Sequence, residues 1–314
     1  MKIGLYGITY AGIWYDGPAL SFEDFVKRAK TYGYTGIDLD GKRPMGNPMD
    51  LSRKDREEMV KILSREGMEI PCIAANNDFS SPIPEHRECQ LLMVREIARL
   101  AADLGAKCVR LFAAWPGIVM RDGIATYDLV RGSYYSLERQ YPYATRQERW
   151  NFVKNCLKEA AKFGEELGVV MALQNHAPLI RHWKDCYDLV KEVNSPWLKF
   201  CLDLPNMRNF DLEWVSKAVK AVGDQQVHMH FGGEYYRDTD GKVKPKQLKF
   251  GRPLPDYGHY LRKMHGAGYD GYITYELCHP FLSETHQPLG LESVDEQVQL
   301  AFEFMDDLMK ENLN

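Results

Sequence analysis

What most constrains this chain is a unit that recurs along its length. A segment of helical period ends at or near a glycine, and a short apolar run follows within a few residues. Lys2 to Tyr6 is the first such run. Ser21, followed by Glu23 and Asp24, opens a helix that closes at Tyr32-Gly33. Gly36 to Asp40 is the second run. Ser52 and Asp55 form a capping-box pattern, and that helix ends at Glu66-Gly67. Ile70 to Ala75 is the third run, and a helix from about Glu85 to Leu104-Gly105 leads to the fourth, Cys108 to Ala114. A helix from Arg146 to Leu167 precedes the fifth, which starts at Val169 and stops on Gln174-Asn175-His176. Leu198 to Asp203, Gln226 to Phe231 and Gly271 to Glu276 complete the set, with helices near 182–193, 211–222, 257–266 and 292–311.

Strands alternating with helices eight times predict an α/β fold, a (β/α)₈ TIM barrel spanning 1–314 as one domain. An open doubly wound sheet is the alternative architecture. It fits less well, because no Gly-rich phosphate loop follows the first strand. Two excursions interrupt the pattern. Residues 115–145 carry Gly, Pro, Tyr and Arg without sustained periodicity and read as a lid or binding loop. Residues 234–250 are highly charged and read as a hairpin-like excursion or a subunit contact.

A formal charge of −4, with both signs interspersed, argues against a nucleic-acid surface and favours small-molecule chemistry. The 7 cysteines form no CxxC pair and suit reduced thiols. The first residues enter a strand pattern directly, and no apolar run approaches the roughly 18 residues a spanning helix needs. The expectation is a cytoplasmic protein with no membrane segment.

In a parallel barrel the carboxyl ends of the strands and the loops after them form the ligand face. Gln174, Asp203, His230 and Glu276 each end an apolar run, so the predicted fold puts all four on that rim. Oxygen and nitrogen donors converging from neighbouring strands suit a divalent metal such as Mn²⁺, Mg²⁺, Co²⁺, Zn²⁺ or Fe²⁺. Each has a plainer reading. Asp203 before Leu204-Pro205 suits a turn cap, Glu276 a buried ion pair, and Gln174 a hydrogen bond to substrate.

The strand endings Gln174-Asn175-His176, Asp203-Leu204-Pro205-Asn206, His228-Met229-His230 and Gly271 to Glu276 resemble the xylose-isomerase-like sugar isomerase and epimerase superfamily. The resemblance spans essentially the whole chain. It implies a metal, Mn²⁺ by preference, held by Gln174, Asp203, His230 and Glu276. Three of these match the superfamily's donor types, whereas Gln174 stands where Glu is usual, and Gly233 stands near where many relatives carry Asp.

The departure at Gln174 bears on mechanism. In the superfamily's ketose epimerases the first and last carboxylates exchange protons on opposite faces of the α-carbon. An amide still ligates through its carbonyl oxygen but accepts no proton at neutral pH. One-base chemistry beside a metal-polarised carbonyl survives this change. The resemblance therefore points first to a carbohydrate lyase, such as an inosose-type dehydratase or a C-glycoside deglycosidase catalytic subunit. A sugar isomerase or epimerase is the alternative, and a non-catalytic carbohydrate-binding subunit is the reading of another class.

His176 is the first candidate for the base, because an imidazole titrates near neutrality, and His279 is a weaker one. A hydrogen-bonded loop histidine is the plainer role. Asn76, Trp115, Asn175 and His228 are candidates for contacting a carbohydrate substrate, and Asp38, Asp40, Asn77 and Asp78 shape the pocket. Arg131, Tyr134, Tyr135 and Arg139 extend from the long loop, where the arginines suit a phosphate or simply solvent. A homo-oligomer, or a hetero-oligomer with a smaller subunit as the deglycosidase resemblance implies, is expected.

Overall fold

A computed structural model of the chain describes residues 1–115, 117–121, 123–126, 142–247 and 253–313. The barrel strands are β1 (Lys2–Tyr6), β2 (Gly36–Asp40), β3 (Cys72–Ala74), β4 (Cys108–Leu111), β5 (Val170–Gln174), β6 (Leu198–Cys201), β7 (Gln226–Gly232) and β8 (Tyr272–Glu276). Each pairs in parallel with its sequence neighbours, and β1 pairs with β8 from Lys2↔Tyr272 to Leu5↔Tyr275, which closes the barrel. The fold is the (β/α)₈ barrel expected from the alternating pattern.

Helices α1 (Phe22–Thr31), α2 (Arg53–Glu66), α3 (Pro84–Leu104), α4 (Arg146–Leu167), α5 (Trp183–Val193), α6 (Leu212–Val222), α7 (Tyr257–Gly266) and α8 (Leu291–Leu313) accompany the strands. Their limits follow local chemistry. Ser52 with Asp55, and Thr145 with Glu148, make complete capping boxes. Gly105 and Gly168 end α3 and α4 at φ 71°, a left-handed conformation that a side chain would strain. The helices bury apolar faces on the barrel: Phe25, Val26 and Ala29 on α1 and Val153, Leu157 and Ala160 on α4 are almost fully buried.

Three strands stop earlier than their apolar runs. β3, β4 and β6 end at Ala74, Leu111 and Cys201 rather than at 75, 114 and 203. The apolar residues beyond them are nonetheless buried, because the chain turns over the barrel mouth instead of leaving it. The excursion after β4 contains an antiparallel pair, Val119–Arg121 with Ile124–Thr126. The one after β7 contains a hairpin that pairs Tyr235–Arg237 with Val243–Pro245. Arg131, Tyr134, Tyr135 and Arg139 lie outside the described residues. No described helix is long and apolar enough to cross a membrane.

Candidate functional site

At the carboxyl end of the barrel a cleft of about 420 Å³ is lined by Tyr6, Lys42, Asn76, Arg110, Phe112, Trp115, Gln174, His176, Glu276 and Cys278, among others. Gln174 and Glu276 are the last residues of β5 and β8. His230 sits two residues before the end of β7, and Asp203 lies two residues beyond β6, at the start of a short 3₁₀ turn, Leu204–Met207. The four residues therefore reach one rim from different depths.

Asp203 is fixed from several sides. Asn175 Oδ1 accepts its backbone N–H at 2.8 Å, and Asn175 Nδ2 donates to its carbonyl at 3.0 Å. The His230 backbone N–H donates to Asp203 Oδ1 at 2.7 Å, the His230 Nδ1 ring atom lies 3.1 Å from Oδ2, and Gln174 Nε2 also donates to Oδ2. Burial alone would raise the Asp203 carboxyl, but His230 and these donors outweigh it and hold it below its ordinary range. Asn175 thus pins the wall, buried, rather than lining the cleft.

Glu276 keeps 18% of its side chain exposed and faces Arg110 Nη1 at 3.8 Å. Burial raises its carboxyl above the ordinary value, although His230 and Arg110 pull the other way. Arg110 comes from the middle of β4, where a charge interrupts an apolar run. Its guanidinium donates to Tyr6 Oη at 3.1 Å and lies over the rings of Tyr6 and Phe112, at 5.1 and 4.6 Å from their centroids. Sequence reasoning did not single it out as a site residue. The only signal was that lone charge within a strand.

His176 stands across the cleft, edge-on to Phe112 and Trp115 at centroid distances of 5.0 and 5.1 Å. Its Nδ1 lies 2.6 Å from the Ala177 carbonyl. A carbonyl only accepts, so Nδ1 carries the proton and the lone pair of the neutral ring sits on Nε2. Burial pulls this histidine down to about 4. Trp115 stacks on Phe112 at 4.8 Å, and Asn76 Nδ2 donates to Asp40 Oδ1 at 2.5 Å, so both expected cleft residues do line it.

Two candidates face elsewhere. His279 Nε2 meets Glu234 Oε1 at 3.1 Å, while Lys246 Nζ donates to the other Glu234 oxygen at 3.0 Å. This arrangement ties the hairpin to the loop after β8. His228 lies below the rim, with Nε2 2.6 Å from Asp38 Oδ2.

A family model described as a xylose isomerase-like TIM barrel matches residues 26–307. The chain belongs to that family. Among solved structures it resembles a D-psicose 3-epimerase from Clostridium cellulolyticum H10 determined with D-tagatose, at 16% identity and a TM-score of 0.70, covering 98% of this chain and 99% of that one. It also resembles the 3-keto-D-glucoside 4-epimerase YcjR from E. coli, at 17% identity and a TM-score of 0.66, covering 96% and 98% of the two chains. The IolI protein, solved with a bound zinc atom, matches at 14% identity and a TM-score of 0.69 over 99% of both chains. No curated protein matches the chain. At these identities the structural likeness speaks for the fold.

Whether this member of the xylose isomerase-like family fits a divalent cation is tested by its own atoms. Gln174 Oε1 is buried without a hydrogen-bond partner, a cost that a bound ligand relieves, and His230 Nε2 meets Asp38 Oδ2 at 3.2 Å. Asp203, His230 and Cys201 offer donor atoms within 4.8 Å of one another. With Gln174 and Glu276 beside them, the set combines carboxylate, amide and imidazole donors that suit a borderline divalent ion.

Proposed function

We propose that the chain is a carbohydrate isomerase or epimerase that moves a proton at a carbon beside a carbonyl. We propose further that Glu276 alone removes the carbon-bound proton. The observation that carries this reading is the pairing in one cleft of a carboxyl group, Glu276, with a histidine held neutral, His176, while Gln174 occupies the third titratable position's place as an amide. The epimerases among the structural relatives support the class of reaction.

In this reading Phe112 and Trp115 hold the apolar face of the sugar, and Asn76 and Lys42 meet its hydroxyl groups. The Glu276 carboxylate accepts the proton from carbon, becoming a carboxylic acid, and returns it to the adjacent carbon, which gives the isomer; an epimer forms, more slowly, when the first carbon instead takes a solvent proton on its opposite face. Arg110 stabilises the negative charge that develops on the substrate oxygens. His176, entering neutral with its lone pair on Nε2, carries a proton between those oxygens. A divalent metal, held by Gln174, Asp203, His230 and Glu276, would supply further polarisation of the carbonyl.

Elimination is the second reading, and Gln174 is the observation that favours it, because a lyase also needs only one base. Turnover of a panel of keto-sugars in D₂O with added Mn²⁺ separates the two. Isomerisation or epimerisation gives products of the substrate's mass, apart from deuterium taken up at carbon. A product lacking a leaving group overturns the proposal in favour of elimination.

A further inference from the structure

Below the rim the barrel interior is polar in a way that the proposed reaction does not use. Side chains two residues apart on a barrel strand face inward in successive layers. His228 therefore lies one layer beneath His230, and Asp38 one layer beneath Asp40. At the same depth Cys72, Cys108, Ala172 and Cys201 pack together. Asp38, Cys72 and His228 are fully buried, and each offers a donor atom such that all three lie within 4.8 Å of one another. Donors around a tetrahedral zinc ion are about 3–4 Å apart, so a small contraction brings them into range.

Asp38 Oδ2 meets His228 Nε2 at 2.6 Å and His230 Nε2 at 3.2 Å, yet Asp38 Oδ1 and His228 Nδ1 are buried without hydrogen-bond partners. Native proteins seldom leave such atoms unsatisfied, and a bound ion is one remedy. Charge points the same way. A carboxylate and a thiolate are two negative charges, which a divalent cation cancels in a medium too apolar to tolerate a residual charge.

We propose that Asp38, Cys72 and His228 form an inner metal site, distinct from the rim set, that takes a thiophilic divalent ion of the Zn²⁺ class and ties β2, β3 and β7 together. At the rim, where Cys201 also lies near Asp203 and His230, carboxylate and amide oxygens dominate and accommodate harder ions. The inference does not rest on the reaction proposed above, because it is read from bound metal.

The test loads the full-length chain with Zn²⁺ and, separately, with Co²⁺, and removes excess ion. X-ray absorption of the zinc form should show a sulfur neighbour at about 2.3 Å, and the cobalt form should show a sulfur-to-metal charge-transfer band. Cys72→Ser should abolish that band and lower bound metal by one equivalent, as should Asp38→Asn. Cys201→Ser and Cys278→Ser should leave the band in place. A first shell of nitrogen and oxygen only, in the unaltered protein, overturns the proposal without relying on any variant. Loss of the band in Cys201→Ser or Cys278→Ser with retention in Cys72→Ser also overturns it, by assigning the thiolate to the rim. Failure of the reaction proposed above, with the band still lost only through Cys72, leaves the inner site standing.

Discussion

The two halves of the rim are built differently. The half from β5 to β8 supplies Gln174, Asp203, His230 and Glu276, the first three joined by hydrogen bonds around Asp203. The half from β1 to β4 supplies Tyr6, Asn76, Arg110, Phe112 and Trp115, with the Arg110 guanidinium laid on aromatic faces. The first half has the donors for a metal and for proton transfer, and the second has surfaces that hold and a charge that compensates. Arg110 and Glu276, 3.8 Å apart, are where the halves meet. The contrast suggests separable roles: changes in the β5–β8 half should strike turnover, and changes in the other half should strike binding and pH response.

The most damaging change should be Glu276→Gln, which keeps size and hydrogen bonding but cannot take a proton. Turnover should fall by about 10³-fold, within the range for general-base loss, and deuterium uptake at carbon should vanish while helical circular dichroism stays unchanged. Retained deuterium exchange would move the carbon base elsewhere. His176→Phe preserves the packing against Phe112 and Trp115. It should cost about 10²-fold in kcat with little change in KM. An equal loss carried by KM alone would make His176 a binding group and blur the division between the halves.

The β5–β8 half was the more readable of the two in the sequence, for a physical reason. Each of its polar residues stands at or near the end of an apolar run, and a parallel barrel turns every such end to the same face. The helices were readable through Ser21 and Ser52 at their starts and Gly67 and Gly105 at their ends, all local signals. What remained hidden depends on partners distant in the chain. The Asp38–His228 contact joins residues 190 positions apart, and the Arg110–Tyr6 bond joins residues 104 apart. His279 looked like a base by position, and only the fold reveals that Glu234, 45 residues earlier, engages it. Asn175 looked like a substrate contact, whereas both of its amide atoms serve Asp203.

Arg110→Met sharpens the comparison at the point where the halves touch. The guanidinium pulls the Glu276 carboxyl down, so its removal lets that carboxyl rise further. In the proposed mechanism Glu276 acts as a carboxylate and activity is lost as pH falls through its pKa. The acid limb of the kcat/KM profile should therefore move to higher pH, by about one unit, the low end of the shift an adjacent opposite charge produces. An unmoved limb would mean that the group titrating there is not Glu276.

Gln174→Glu has the smallest expected energetic effect and puts the division between the halves to its closest test. In the native chain the Gln174 amide donates to Asp203 Oδ2, and its own Oε1 is buried without a partner. A carboxylate in that place has no proton to donate and meets a second negative charge. The chelator-treated variant should lose about 1 kcal/mol of stability in urea titrations. Added Mn²⁺ should restore it, because the new carboxylate is a stronger ligand than an amide and cation binding is linked to folding. The same variant gains a second carbon base across the cleft from Glu276. Its products should then include an epimer that the native chain forms more slowly, read by chiral chromatography. If stability is unchanged with and without metal and the product ratio is unaltered, residue 174 takes no part in either metal binding or proton transfer, and the β5–β8 half reduces to Asp203, His230 and Glu276.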